Sequence, residues 1–180
     1  MKVFLIMVVL LLVARPVPEQ KDATAEQITQ ALGPLPEPLR AEATVVLEAI
    51  PGKRVVLRKG SNNLLCRADT PAPGFKVYCY QKDMDTFWTR FEQLTLEGKS
   101  NAEIRDTLGA EALAGKLQIL MGAAVYTLSG DSPESALPQM SVFLPNATSE
   151  STGLSNERSH YHPWLMWAGT PFAHVMILGH

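Results

Sequence analysis

The chain has no surplus of basic charge: Lys plus Arg is 16 against 18 for Asp plus Glu, a net charge of −2. A nucleic-acid binder normally carries a basic excess to neutralise phosphates, so that class is set aside. No run of four Lys and Arg exists either, which excludes a polybasic membrane-surface anchor. Apolar runs of spanning length are missing, the longest stretch being Val3–Ala14, where a bilayer requires about 20 residues. Cysteine is scarce at two, too few to complete a tetrahedral zinc shell. Also absent are the Gly-x-Ser-x-Gly elbow, His-Glu-x-x-His, the full phosphate-cradling Gly-x-x-x-x-Gly-Lys-Ser/Thr loop and a dinucleotide fingerprint. What remains is 180 residues, 46% hydrophobic and 19% charged. That supports one globular domain with a core of its own and is too apolar for a disordered chain.

The N-terminus carries an address. Lys2 precedes the apolar run, and Arg15, Pro16 and Pro18 end it. Residues 1–14 therefore read as the apolar part of a secretory signal, with cleavage placed between 14 and 25. The expected localisation is exported, periplasmic or secreted, with no membrane span once the signal is removed. In an oxidising compartment Cys66 and Cys79 are expected to form a disulfide. Closing a loop of that size stabilises by about 3 kcal/mol in the chain-entropy picture.

Segment 15–39 reads as a short helix, opened by a capping box at Thr24 and Gln27 and closed at Gly33, followed by a connector stiffened by Pro34, Pro36 and Pro38. The folded body is placed at 40–180. Residues 43–48 and 54–58 flank Pro51-Gly52-Lys53 and predict a β-hairpin. A third strand is predicted over 76–80, with the segment after Cys66 as an irregular loop between the cysteines. Met84, Phe87, Trp88, Phe91 and Leu94 fall on one stripe and predict the main amphipathic helix, about 83–97, with Asp83 as its cap and Gly98 at its end. That stripe reads as core-facing. Asp69, Asp83 and Asp85 read as solvated turn carboxylates. Ser100 with Glu103 opens a second helix expected to stop at Gly109. Strands are predicted within 116–128 and over 139–144, a loop over 146–159, and a C-terminal hairpin of 164–167 and 172–178 whose last strand is apolar on both faces. The fold class is α+β: an antiparallel sheet with one main amphipathic helix packed on it.

Histidine is missing until residue 160, and then all four occur together as His160, His162, His174 and His180. His160 and His162 share one face of an extended segment, and His174 lies on the next strand of the hairpin. Three neutral imidazoles with Glu157 have the composition of a zinc, copper or iron shell. Tyr161, Trp164 and Trp167 nearby are candidates to stack on a ligand. The opposing reading leaves His160 and His162 on a loop and His174 as a core histidine.

The run Leu57-Arg58-Lys59-Gly60-Ser61-Asn62, the Cys66 and Cys79 pair around Pro71 and Pro73-Gly74, Trp88, and the terminal His174-Val175-Met176-Ile177 resemble a group of uncharacterised secreted bacterial proteins. The resemblance covers about a third of the chain and implies export and the disulfide. It implies no activity and carries over no functional residue. The function expected is an exported, non-catalytic domain that binds a small molecule or a protein, with no cofactor. The alternative is a metal-binding protein or metal-dependent enzyme built on His160, His162 and His174.

Overall fold

A computed structural model describes residues 20–50, 52–70 and 73–179. The signal segment lies outside these residues. The helical elements are α1 (Gln20–Leu32), α2 (Glu37–Arg40), α3 (Asp85–Leu96), α4 (Asn101–Leu113) and α5 (Ser149–Thr152). The strands are β1 (Thr44–Ile50), β2 (Lys53–Arg58), β3 (Leu64–Arg67), β4 (Phe75–Gln81), β5 (Ala124–Gly130), β6 (Leu137–Phe143), β7 (Trp164–Met166) and β8 (His174–Leu178). They form one sheet in the order β2-β1-β3-β4-β5-β6-β8-β7. Both α and β elements are present, but five helices replace the single main helix expected, and the sheet is mixed rather than antiparallel, because β1 and β3 run parallel.

The parallel pair has a local cause. After β2 the chain must cross the entry of β1 to reach its far side, and the Leu57–Asn62 run builds that crossing. The Arg58 guanidinium donates to the carbonyl oxygens of Arg40 and Ala43. Gly60 passes so close that a Cβ there would meet Glu42 O at 2.2 Å. Asn62 Nδ2 donates to Leu39 O, and its Oδ1 accepts from Leu64 N, which starts β3. Only glycine fits at that crossing.

Period-2 alternation sends successive side chains to opposite faces of the sheet. On one face Val45, Cys66 and Cys79 pack against Ala31 and Leu32 of α1 and Leu35 beyond it. On the other, Val46, Leu65, Tyr80, Val125 and Phe143 pack against Phe87 and Leu94 of α3 and Ile104 and Leu108 of α4. Helices therefore cover both faces. Cys66 and Cys79 stand directly opposite each other on β3 and β4 and form the disulfide, with Cα atoms 4.0 Å apart and both residues fully buried. The bridge thus staples the two paired strands that flank the irregular segment between the cysteines.

Several boundaries differ from expectation for physical reasons. Helix α1 starts at Gln20, so Thr24 sits inside it, where a side-chain N-cap has no place. Pro38 falls in the first turn of α2, where a missing N–H is tolerated, so the proline-rich connector still forms one helical turn. The main helix is entered through a 3₁₀ turn, Lys82–Met84, and Met84 rather than Asp83 is its N-cap. The Ser100–Glu103 capping box forms in full, but α4 continues through Gly109 to Leu113. A mid-helix glycine costs about 1 kcal/mol, and burial of Ile104 and Leu108 outweighs it. The stretch 116–123 is irregular, and β5 begins only after the left-handed Gly122. The 146–159 loop contains the single turn α5. The C-terminal hairpin forms, with β8 between β6 and β7, yet Ile177 on its outer face is 38% exposed, so that strand is buried on one face only.

Candidate functional site

Helix α3 lies over the sheet and separates two regions of different chemistry. The β1–β3–β4 side is charged. Arg67 of β3, 3% exposed, extends beneath the helix. Its Nε donates to Tyr80 Oη at 2.7 Å, and its terminal nitrogens reach Glu48 (3.2 Å), Asp85 (3.3 Å), Thr89 (2.8 Å) and Glu92. Arg54 of β2 chelates Asp85 with contacts of 2.6 and 3.1 Å and also reaches Glu48 and Thr89. Tyr80 Oη donates to Asp85 Oδ1 at 2.7 Å, and Tyr78 Oη donates to Glu92. Burial pushes both tyrosine hydroxyls above the ordinary tyrosine range, and their carboxylate acceptors hold the protons in place. For Asp85 desolvation alone would raise the pKa. Hydrogen bonds from Arg54 and Tyr80, with the two guanidinium charges, overcome it and hold the carboxyl below its usual value. Asp85 is thus a bound anion, not the solvated turn carboxylate expected from sequence. Asp83 hydrogen-bonds Asn63 at the surface, and Asp69 accepts from the Lys76 backbone N–H.

The β5–β6–β8–β7 side is open. A cleft of about 560 Å³ lies between the same helix and the sheet, within the size range of small-molecule sites. Every second residue of the strands faces it: Thr127 and Ser129 from β5, Gln139 and Ser141 from β6, His174 and Met176 from β8, Trp164 and Met166 from β7. Helix α3 contributes Phe87, Trp88 and Phe91, so its aromatic stripe is shared between core and cleft. Met84, Phe87 and Leu94 are buried, whereas Trp88 and Phe91 are only partly so. All three tryptophans of the chain, Trp88, Trp164 and Trp167, line this one cleft.

Two features mark the cleft as more than a packing gap. Trp88 Nε1 and Trp164 Nε1 are buried without a hydrogen-bond partner among the described residues. Each orphaned donor costs about 1–3 kcal/mol, and native interiors leave few of them. Trp167 has a left-handed backbone at φ 55°, a strained conformation for a bulky residue. That conformation sets its ring edge-on to Phe172 (5.2 Å) and His174 (5.3 Å), forming one wall. His174 Nδ1 lies 2.9 Å from Phe172 O. A carbonyl only accepts, so Nδ1 carries the proton and Nε2 is left as an acceptor. Desolvation lowers the His174 pKa and the bond to Phe172 opposes it, so the neutral ring is favoured.

The sequence-derived candidates divide accordingly. Trp164 and Trp167 line the cleft, and His174 stands beside them. Tyr161 is 91% exposed and contributes nothing to it. His160, His162 and Glu157 are exposed on the loop before β7, whereas His174 is buried on the inner sheet face. The structure does not bring these four together, and among the described residues no three His, Cys, Asp or Glu side chains are grouped to hold an ion. His180 lies outside the described residues. Trp88, assigned to the core from its helical spacing, does pack against the buried cluster, and it also lines the cleft, which its spacing did not show. Periodicity identifies a buried stripe but not which of its members meets a partner.

Another depression, of about 640 Å³, lies beyond Lys76, Tyr78 and Phe91. Its carboxylates are already engaged: Glu48 and Glu92 bind Arg67, and Asp69 caps the Lys76 N–H. It lacks orphaned donors, so the tryptophan-lined cleft is the candidate site.

No protein-family model matches the chain, and no curated protein or solved structure shows significant similarity to it. Among the described residues no helix is long and apolar enough to cross a membrane. With the disulfide, this is compatible with an exported protein.

Proposed function

We propose that this is an exported, non-catalytic binding protein whose ligand is a small molecule with an apolar, flat body and at least one hydrogen-bond acceptor, held in the cleft between α3 and the β5–β6–β8–β7 surface. The observation that carries this reading is the aromatic cleft itself, about 560 Å³ lined by all three tryptophans, two of which, Trp88 and Trp164, keep a buried indole N–H without a partner among the described residues. A flat apolar body fits between such aromatic walls, with a few polar groups to orient it. Neutral His174 adds an acceptor through Nε2. The arginine–carboxylate network serves this site indirectly, because it ties α3, the wall of the cleft, to the sheet.

Because all tryptophan emission arises from the cleft, fluorescence reports directly on occupancy. Titration with the neutral probe N-phenyl-1-naphthylamine should quench tryptophan emission and raise probe emission in a saturable, one-site manner. Ser141→Trp, which fills the floor of the cleft, should abolish uptake with an unchanged far-UV spectrum. Uptake that survives Ser141→Trp, or no saturable uptake by the wild-type chain, would overturn the reading.

A further inference from the structure

The charges around the cleft name the class of ligand, given that the cleft is the ligand site proposed above. Lys76 and Arg158 line it, and no Asp or Glu does. This is a local excess of two positive charges in a chain whose net charge is −2. Neither cation is paired: among the described residues Lys76 and Arg158 take part in no salt bridge. The Lys76 ammonium lies 5.3 Å from the Tyr78 ring centroid and 6.0 Å from that of Phe91. The carboxylate next to it, Glu92, is committed to Arg67 and Tyr78. Burial of a cationic ligand against two unpaired cations would be unfavourable. An oxyanion instead is attracted by both.

We infer that the ligand of this cleft is an amphipathic organic anion, an aromatic carboxylate whose ring rests between Trp88, Trp167 and Met176 while its oxygens are drawn to the Lys76 and Arg158 charges. The guanidinium supplies a planar fork matched to a carboxylate, and the ammonium supplies a point charge already held over an aromatic face.

A matched pair of probes isolates the charge from the cleft itself. 2-Naphthoate and 2-naphthamide have the same ring and nearly the same shape, and differ in the anion. Titrated by tryptophan quenching at low salt, naphthoate should bind at least about tenfold more tightly, the scale of one charge-assisted hydrogen bond. Its affinity should fall with added salt while that of the amide holds. Lys76→Gln and Arg158→Gln should each narrow the gap, and the double variant should bring the two ligands level. Equal affinities in the wild-type chain, or a preference untouched by the double variant, would overturn the anion assignment. Uptake of N-phenyl-1-naphthylamine by the same preparation would then show that the cleft reading itself still stands. Failure of all three probes would take both down together.

Discussion

The two sides of α3 face the same sheet yet resolve burial in opposite ways. Toward β1, β3 and β4, Arg54 and Arg67 are shared among Glu48, Asp85, Glu92 and the Thr89 and Tyr80 hydroxyls. Toward β5 to β7, two indole N–H groups have no partner, and a volume of about 560 Å³ is left between helix and sheet. A protein that can satisfy five charged groups under one helix has the means to satisfy two indoles. On the proposed reading, the unsatisfied side is the one left for a ligand. The satisfied side holds the helix in place.

The largest effect that would break this comparison comes from Arg67. Arg67→Met leaves Glu92 with the Tyr78 hydroxyl alone and takes one of two guanidinium partners from Glu48 and Asp85, and removal of one partner from a buried ionic cluster costs about 3–5 kcal/mol. Urea unfolding should show that loss, and a loss below about 1 kcal/mol would mean the network does not anchor α3. The Cys66→Ala/Cys79→Ala double variant acts on the opposite sheet face, against α1. It should cost about 3 kcal/mol, or roughly 6–12 °C in melting temperature for a domain of this size, with ligand affinity unchanged.

On the open side substitutions should have little effect on stability. Ser141 has a hydroxyl whose one partner is Met176 Sδ at 3.2 Å. Ser141→Leu should change stability by no more than about 1 kcal/mol and remove uptake of N-phenyl-1-naphthylamine. Trp164→Phe deletes an orphaned donor and should likewise be near neutral for folding. If the donor meets a ligand oxygen, it should weaken naphthoate binding by about three- to tenfold.

The smallest effect, and the one that separates the two sides most cleanly, is pH. The Asp85 pKa is depressed in the fold, so its contribution is complete above the unfolded value near 3.9 and is lost as pH falls below it. The His174 pKa is also depressed, so the fold favours the neutral ring. Its contribution is present above the unfolded value near 6.5 and declines as pH falls from there. Stability measured against pH should show two limbs. His174→Gln should flatten the upper limb, and Asp85→Asn the lower. A single limb unaffected by His174→Gln would contradict the buried, neutral assignment of that ring.

The elements legible in the sequence were those whose cause is local. The Ser100–Glu103 capping box, the β1–β2 hairpin around Gly52, the C-terminal hairpin and the stripe from Met84 to Leu94 all express contacts within a few residues. Gly109 misled because propensity competes with burial of Leu108, and burial is decided by residues far away in sequence. Arg67 misled more deeply. Beside Asp69, Thr70 and Pro71 it reads as part of a turn, and only pairing of β3 with β4 sends its side chain under α3. The histidines were grouped by spacing, but His160 and His162 stayed on an exposed loop while strand pairing with β6 turned His174 inward.

By itself the sequence determined the α+β character, the pairing of its two cysteines and the existence of an aromatic helix, because composition, cysteine count and 3.6-residue periodicity act over short ranges. Tertiary structure decided that β3 runs parallel to β1, that Arg67 binds three carboxylates, and that three tryptophans distant in sequence surround one cleft. Those outcomes depend on which strands become neighbours. Strand neighbours are chosen by the free energy of burying whole faces, a quantity no window of sequence contains.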